Sequence, residues 1–108
     1  MAAHLGDFEY AVLLAVLHLK EDAYAVPLRG LIEERTERNI ARGALYTALE
    51  RLEGKGCLRS VMKDPSEERG GRARRIFTVT PKGVEALRAT HGALQRLSTG
   101  LEAILEQP

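Results

Sequence analysis

A single cysteine, Cys57, stands in a chain of 108 residues. It cannot close an intrachain disulfide, which fits a reducing compartment, and a cytoplasmic location is expected. Long apolar runs are missing too. The longest, Ala11 to Leu17, falls far short of the ~20 residues that span a bilayer, so no membrane partner is expected. The opening "MAAHLGDFEY" lacks the basic-then-apolar order of a signal peptide. The histidines His4, His18 and His91 are far apart and make no ligand motif with Cys57, so no metal site is expected. "RGGRAR" precedes a strand pattern and not a helix, which removes the phosphate-loop reading. With no catalytic constellation and no cofactor motif, an enzyme is not expected.

Net charge is also nearly absent, at +1. Its distribution is not even. From Arg59 to Lys82 seven Lys/Arg face three acids, Asp64, Glu67 and Glu68. Much of that charge falls in "EERGGRARRIF", where two glycines sit among Arg69, Arg72, Arg74 and Arg75. A flexible basic point in a neutral chain suggests a local anionic partner.

The hydropathy pattern supplies the elements around it. The apolar fraction of 44% is ordinary for a globular chain, and the length fits one domain. "DFEYAVLLAVLHLKED" reads as a helix with Asp7 as N-cap. Phe8, Val12, Ala15 and Leu19 mark one face; Leu13, Leu14 and Leu17 fill another. Such a helix is central to a small domain, or serves both a core and a partner subunit. "AVPLRGLIEERT" reads as a second, amphipathic helix, with Pro27 in its first turn and Leu28, Leu31 and Ile32 inward. Glu33, Glu34 and Glu37 read as solvated charge. In "IARGALYTALERLEGKG" the apolar residues Ala41, Ala44, Leu45, Ala48, Leu49 and Leu52 fall at offsets 0, 3, 4, 7, 8 and 11. The opposite face carries Arg42, Gly43, Tyr46, Thr47, Glu50 and Arg51.

"CLRSVMK" and "RRIFTVT" alternate as strands and predict a two-stranded hairpin with a long basic tip. "TPKGVEAL" opens a last helix, with Thr80 as cap and Pro81 in its first position. That helix is predicted to run to Gln107, about 40 Å. Val84, Leu87, His91, Leu94, Ser98, Leu101 and Leu105 form a heptad seam along it, widened by Leu97 and Ile104. One small domain is too short to cover the seam, and a second copy of the chain is the economical partner.

The expected fold is therefore mainly α with a small β-hairpin. It is a winged helix-turn-helix over residues 1–80 followed by a long C-terminal dimerisation helix over residues 81–108. In this arrangement the third helix enters the major groove of double-stranded DNA, and the basic hairpin follows the backbone beside it. The candidate DNA-binding residues are Arg42, Gly43, Tyr46, Thr47 and Arg51 on the helix, and Arg69, Gly70, Gly71, Arg72 and Arg74 on the wing.

Over nearly its whole length the chain resembles the PadR family of bacterial transcriptional regulators. The match is carried by "GDFEYAVLLAVLHL", "DAYAVPLRGLIEERT", "GALYTALERLEGKG", "ERGGRARRIF" and "TPKG". The short tail is similar to members that end in one dimerising helix and lack an added effector domain. The resemblance implies a homodimer built from the first and last helices. The residues expected at that interface are Phe8, Val12, Leu87, His91, Leu94, Leu97, Leu101 and Leu105. It also implies a repressor released by a small molecule or other signal. By motif, Tyr46 matches the family's recognition-helix tyrosine and Arg72 its wing-tip glycine-arginine motif. Ala25 departs from the glycine that members commonly carry after "DAY". Some short members bind flat aromatic compounds with help from tryptophan; this chain has none, and that activity is not carried over.

Other readings stay open at this point. Tyr46 and Thr47 can be an ordinary solvated face, the arginines a solvated tip, and the heptad intrachain core. His91 reads as a buried residue that fixes register, or a pH sensor. Cys57 reads as a small core residue, or a redox sensor. The competing function is a dimeric winged-helix adaptor that binds protein and not DNA.

Overall fold

The computed structural model describes residues 5–63 and 73–107. The expected hairpin tip, with Arg69, Gly70, Gly71 and Arg72, lies outside the described residues. Three helices come first: α1 (Asp7–Leu19), α2 (Ala25–Thr36) and α3 (Arg42–Gly54). A short 3-10 turn, Lys20–Asp22, joins the first two. Strands β1 (Leu58–Lys63) and β2 (Arg74–Val79) follow, then α4 (Pro81–Ser98) and the single turn α5 (Glu102–Leu105).

Helix α1 lies at the centre, as its apolar girth requires. Val12, Leu13, Ala15 and Val16 are buried, while Leu14 and Leu17 stay exposed on the other side. Its N-cap is Gly6 and not Asp7, because Glu9 reaches back to accept the Gly6 N–H at 3.2 Å. Asp7 becomes the first helical residue and still favours the positive end of the dipole. Helix α2 buries Leu28 and Ile32, and α3 buries Leu45, Ala48, Leu49 and Leu52. All join one core with Cys57, Leu58, Phe77, Ala86 and Leu87. Cys57 is fully buried and behaves as a small apolar residue, which leaves its thiol poorly placed to sense oxidants.

The strands pair antiparallel, with Leu58 opposite Val79 and Lys63 opposite Arg74. Leu58 and Phe77 point inward on one face of the hairpin. The Phe77 N–H donates to the Ala23 carbonyl at 2.9 Å, so the α1–α2 connection supplies a further backbone partner for β2. This holds the hairpin against the helices from its inner end.

The "TPKG" stretch is a junction with three separate duties. Thr80 Oγ1 accepts the Gly83 N–H at 3.1 Å and caps α4. Its hydroxyl also donates to the Gly56 carbonyl, and its N–H bonds Cys57 O at 3.0 Å. Pro81 fills the first helical position, where no N–H is needed. Gly83 lets α4 approach the chain at Cys57. A Cβ there would stand 2.3 Å from the Cys57 carbonyl oxygen and 2.7 Å from Val79 Cγ1.

The last helix is shorter than its seam predicts. It ends at Ser98, and the chain turns through Gly100 at φ +95° before α5. The cause lies in "STG". Thr99 sends both its N–H and its hydroxyl to the Gln95 carbonyl, at 3.0 and 2.7 Å, and Gly100 takes the left-handed backbone. Such residues end helices. The heptad is thereby interrupted: Leu101 and Leu105 are not on the helix that carries Leu87, His91 and Leu94.

Gly83→Ala should lower stability by about 1–3 kcal/mol, since backbone atoms cannot yield to the new methyl. At an open helical position the same change would stabilise by roughly 1 kcal/mol. Urea unfolding measures the sign, and a stabilised variant would show that α4 does not sit this close to Cys57.

Candidate nucleic-acid interface

Helix α3 is fixed by its buried edge, and that fixes its outer face. Leu45, Leu49 and Leu52 are each 1% exposed or less. Opposite them, Gly43, Thr47 and Glu50 follow one another at helical spacing along the centre of the exposed face. Gly43 has open space where a side chain would be, so internal packing does not require glycine there. Its smallness instead lets another surface come close.

Tyr46 and Arg51 occupy the two flanks, being five residues and about 140° apart on an ideal helix. Tyr46 is 49% exposed and borders a cleft with Val26, Arg29, Gly30 and Arg42, between α2 and α3. Arg51 lies on the α1 side, where its charge helps to hold Glu9 ionised. Arg42 is the first residue of α3. The N-cap is Ala41, with no side-chain cap and no acid in the first turn. A cation at the positive end of a helix is locally unfavourable, and that end is suited to an anion.

The turn between α2 and α3 is held from α2. Arg29 Nε donates to the Ile40 carbonyl at 2.7 Å, and Glu33 Oε2 accepts the Ile40 N–H at 2.8 Å. Both polar groups of Ile40 are therefore satisfied by side chains one helical turn apart. Glu33 is thus a structural clamp and not the solvated charge that its sequence context suggests. Glu37 closes α2 in the left-handed region, at φ 57°.

The far end of α3 is tied to α1. Lys55 Nζ donates to both carboxylate oxygens of Glu9, each at 2.9 Å. Burial opposes ionisation of Glu9. The hydrogen bonds from Lys55 and the Gly6 N–H, with the charges of Lys55 and Arg51, outweigh it and hold the carboxyl below the usual glutamate range.

The hairpin is pinned to the same helix. Arg75 Nη1 donates to Glu50 Oε1 at 2.8 Å, Nη2 donates to Glu53, and Nε donates to Ser60 Oγ at 2.9 Å. The Glu50 bond leads in raising the guanidinium pKa, against some desolvation. Arg74 points to the other face and stacks 4.3 Å over the Tyr24 ring. Two of the four clustered arginines are therefore engaged at the wing's root. The other two, Arg69 and Arg72, lie outside the described residues.

The remaining expected residues divide clearly. Val12 is fully buried and Leu87 is 6% exposed, so the subunit's own core takes both. Neither has much surface to offer a second chain. Phe8 is half-buried against the core. Leu94, Leu97, Leu101 and Leu105 are 52%, 75%, 46% and 61% exposed. His91 is exposed in the single chain, with Nδ1 3.2 Å from Tyr10 Oη. Among the described residues no cluster is suited to a metal ion. No helix among them is long and apolar enough to cross a membrane.

Comparison with known proteins fits this geometry. The model of the transcriptional regulator PadR-like family matches residues 13–89. The chain belongs to the PadR-like family. A PadR-like transcription factor from Bacteroides fragilis superposes with a TM-score of 0.70 at 26% identity, covering 90% of this chain and 88% of its own. A Streptococcus transcriptional regulator gives 0.72 at 28% identity, with 90% of each chain covered. A PadR-like regulator from Bacillus cereus gives 0.73 over 94% and 93% of the chains; at 21% identity it shows the fold alone. A search of curated proteins found no match. The PadR-like family is one of transcriptional regulators and not of enzymes, and its winged-helix fold agrees with the three helices and hairpin seen here.

Two stability predictions follow from the clamps. Glu33→Ala strands the half-buried Ile40 N–H and should cost about 1–2 kcal/mol in urea unfolding. No loss would mean that solvent replaces Glu33 freely. For Glu9, a lowered folded-state pKa stabilises above the unfolded pKa, and the gain disappears as pH falls through the folded value. At pH 7 Glu9→Gln should therefore be less stable, by at most about 1 kcal/mol because Lys55 is partly solvated. The gap should begin to narrow as pH falls below about 4.3, the ordinary glutamate value, and close once pH is below the lower folded-state value. A gap independent of pH would exclude the ion pair as its cause.

Proposed function

We propose that this PadR-like chain is a sequence-specific DNA-binding repressor that acts as a homodimer on an inverted-repeat operator. A small molecule or other signal releases it. The observation that carries the reading is the outer face of α3. It presents a small residue, hydroxyl and aromatic tips and a cation at its unneutralised N-terminus, beside a hairpin clamped to the same helix. A helix of this kind reads base edges in a major groove, while cations at its start and on the wing meet phosphates.

Homodimer formation is supported by apolar surface that a single chain leaves uncovered. Leu94, Leu97, Leu101, Ile104 and Leu105 are exposed after α4 leaves the core, and Leu14 and Leu17 are exposed on α1. Burying such side chains against a second copy is the inexpensive solution. The seam now consists of the second half of α4 and the turn after Gly100.

Tyr46→Ala should weaken binding to the operator tenfold or more, while the melting temperature stays within about 2 °C, since half of the ring is already in solvent. Melting without a separate binding loss would place Tyr46 in the core. Leu94→Asp combined with Leu101→Asp should give a folded monomer by light scattering, because both side chains are exposed in the subunit. Operator binding should fall steeply with it, each subunit alone reading half a site. A double variant that stays dimeric would move the interface elsewhere.

A further inference from the structure

Glu50 sits where a DNA-binding face should least tolerate an acid. It is in line with Gly43 and Thr47 on the outer face of α3, and its side chain is 65% exposed. A carboxylate there repels phosphate unless it meets a donor on a base. Arg75 changes its position and its charge environment together. The guanidinium engages Glu50 Oε1 at 2.8 Å while also bonded to Glu53 and to Ser60 on β1. Among the described residues Arg75 is the one hydrogen-bond partner of Glu50, and Oε2 is left unengaged. The carboxylate is thus held from the hairpin side, partly compensated, with one acceptor oxygen available.

Arg75 itself is poorly placed to meet phosphate. Its Nε, Nη1 and Nη2 each already have an acceptor within the chain. Breaking these bonds would leave two carboxylates, Glu50 and Glu53, facing the same hairpin root. Its role in the basic cluster is therefore internal, although its sequence context suggests a backbone contact.

We infer that Glu50 is a specificity-determining residue, its available oxygen accepting the amino N–H of a cytosine in the major groove, and that Arg75 is the positioning residue that holds it there. This rests on the DNA-binding reading above. Cytosine is the base whose major-groove edge offers a donor matched to a carboxylate.

The test is selection of bound duplexes from a random pool, run with the unaltered protein, Glu50→Ala, Glu50→Gln and Arg75→Gln, with circular dichroism to confirm folding. The unaltered protein should enrich an inverted repeat with cytosine at one fixed position in each half-site. Glu50→Ala should lose discrimination at that position alone, by roughly five- to a hundredfold. Its affinity for random duplex should rise, because a repelling charge has gone. Glu50→Gln keeps an acceptor for Arg75 and should shift the preference towards adenine. Arg75→Gln should blur the cytosine preference while leaving the slope of log affinity against log salt unchanged.

An unchanged base preference in both Glu50 variants overturns the assignment of Glu50, whatever happens to overall affinity. A salt slope that falls by about 0.9 per lost contact in Arg75→Gln would make Arg75 a phosphate ligand and overturn its positioning role. If the unaltered protein enriches no sequence, the DNA-binding reading fails and this inference fails with it.

Discussion

The rotation of α3 about its own axis is the constraint on which the rest depends. Leu45, Ala48, Leu49 and Leu52 bury one edge of the helix against α1, α2 and the hairpin base. Turning the helix by one residue would expose a leucine and bury Thr47 or Glu50. Several kcal/mol of apolar burial therefore oppose any other rotation. The outer face is a consequence: Gly43, Thr47 and Glu50 point outward because the leucines point inward.

Rotation alone would leave the helix free to tilt. Three polar ties remove that freedom, one at each contact of α3 with its neighbours. Arg29 and Glu33 hold the chain before its start, and Lys55 meets Glu9 after its end. Arg75 joins its middle to the hairpin. Each tie is partly solvated and modest by itself. Together they join α3 to α1, to the turn before it and to the paired strands β1 and β2. The first turn of α3 is the exception. With Ala41 as cap and Arg42 in the first position it is locally unfavourable, a cost consistent with a site that meets an anion.

Much of this is legible in the sequence. Apolar spacing finds the buried edge of α3 from Leu45 onward, at Leu45, Ala48, Leu49 and Leu52. Ala41 and Ala44, counted in the same stripe, are exposed because the helix begins only at Arg42 and its first turn stands clear of the core. "TPKG" also reads well, since a cap and an N-terminal proline act locally. What escapes the sequence are pairings between distant residues. Arg75 and Glu50 are 25 positions apart, and nothing local marks an arginine in a basic cluster as internally engaged. Glu33 looks solvated for the same reason. The break after Ser98 is a different kind of miss. "STG" carries the signal for it, but an apolar seam reads straight through a turn when only leucines are followed. PadR-like resemblance and fold agree with the comparisons. Val12 and Leu87, expected at a dimer interface, turn out to be absorbed by the core. Periodicity tells which face is apolar, not which apolar surface covers it.

The central claim is that the outer face of α3 meets DNA. Amide NMR spectra recorded while duplex DNA carrying a selected site is titrated into the protein test it most directly. The account predicts that the largest shifts fall on Arg42, Gly43, Tyr46, Thr47 and Glu50 and on the wing, with Leu14, Leu17 and Leu97 little affected. Shifts confined to the face of Leu14, Leu17 and Leu97, with α3 unmoved, would contradict it.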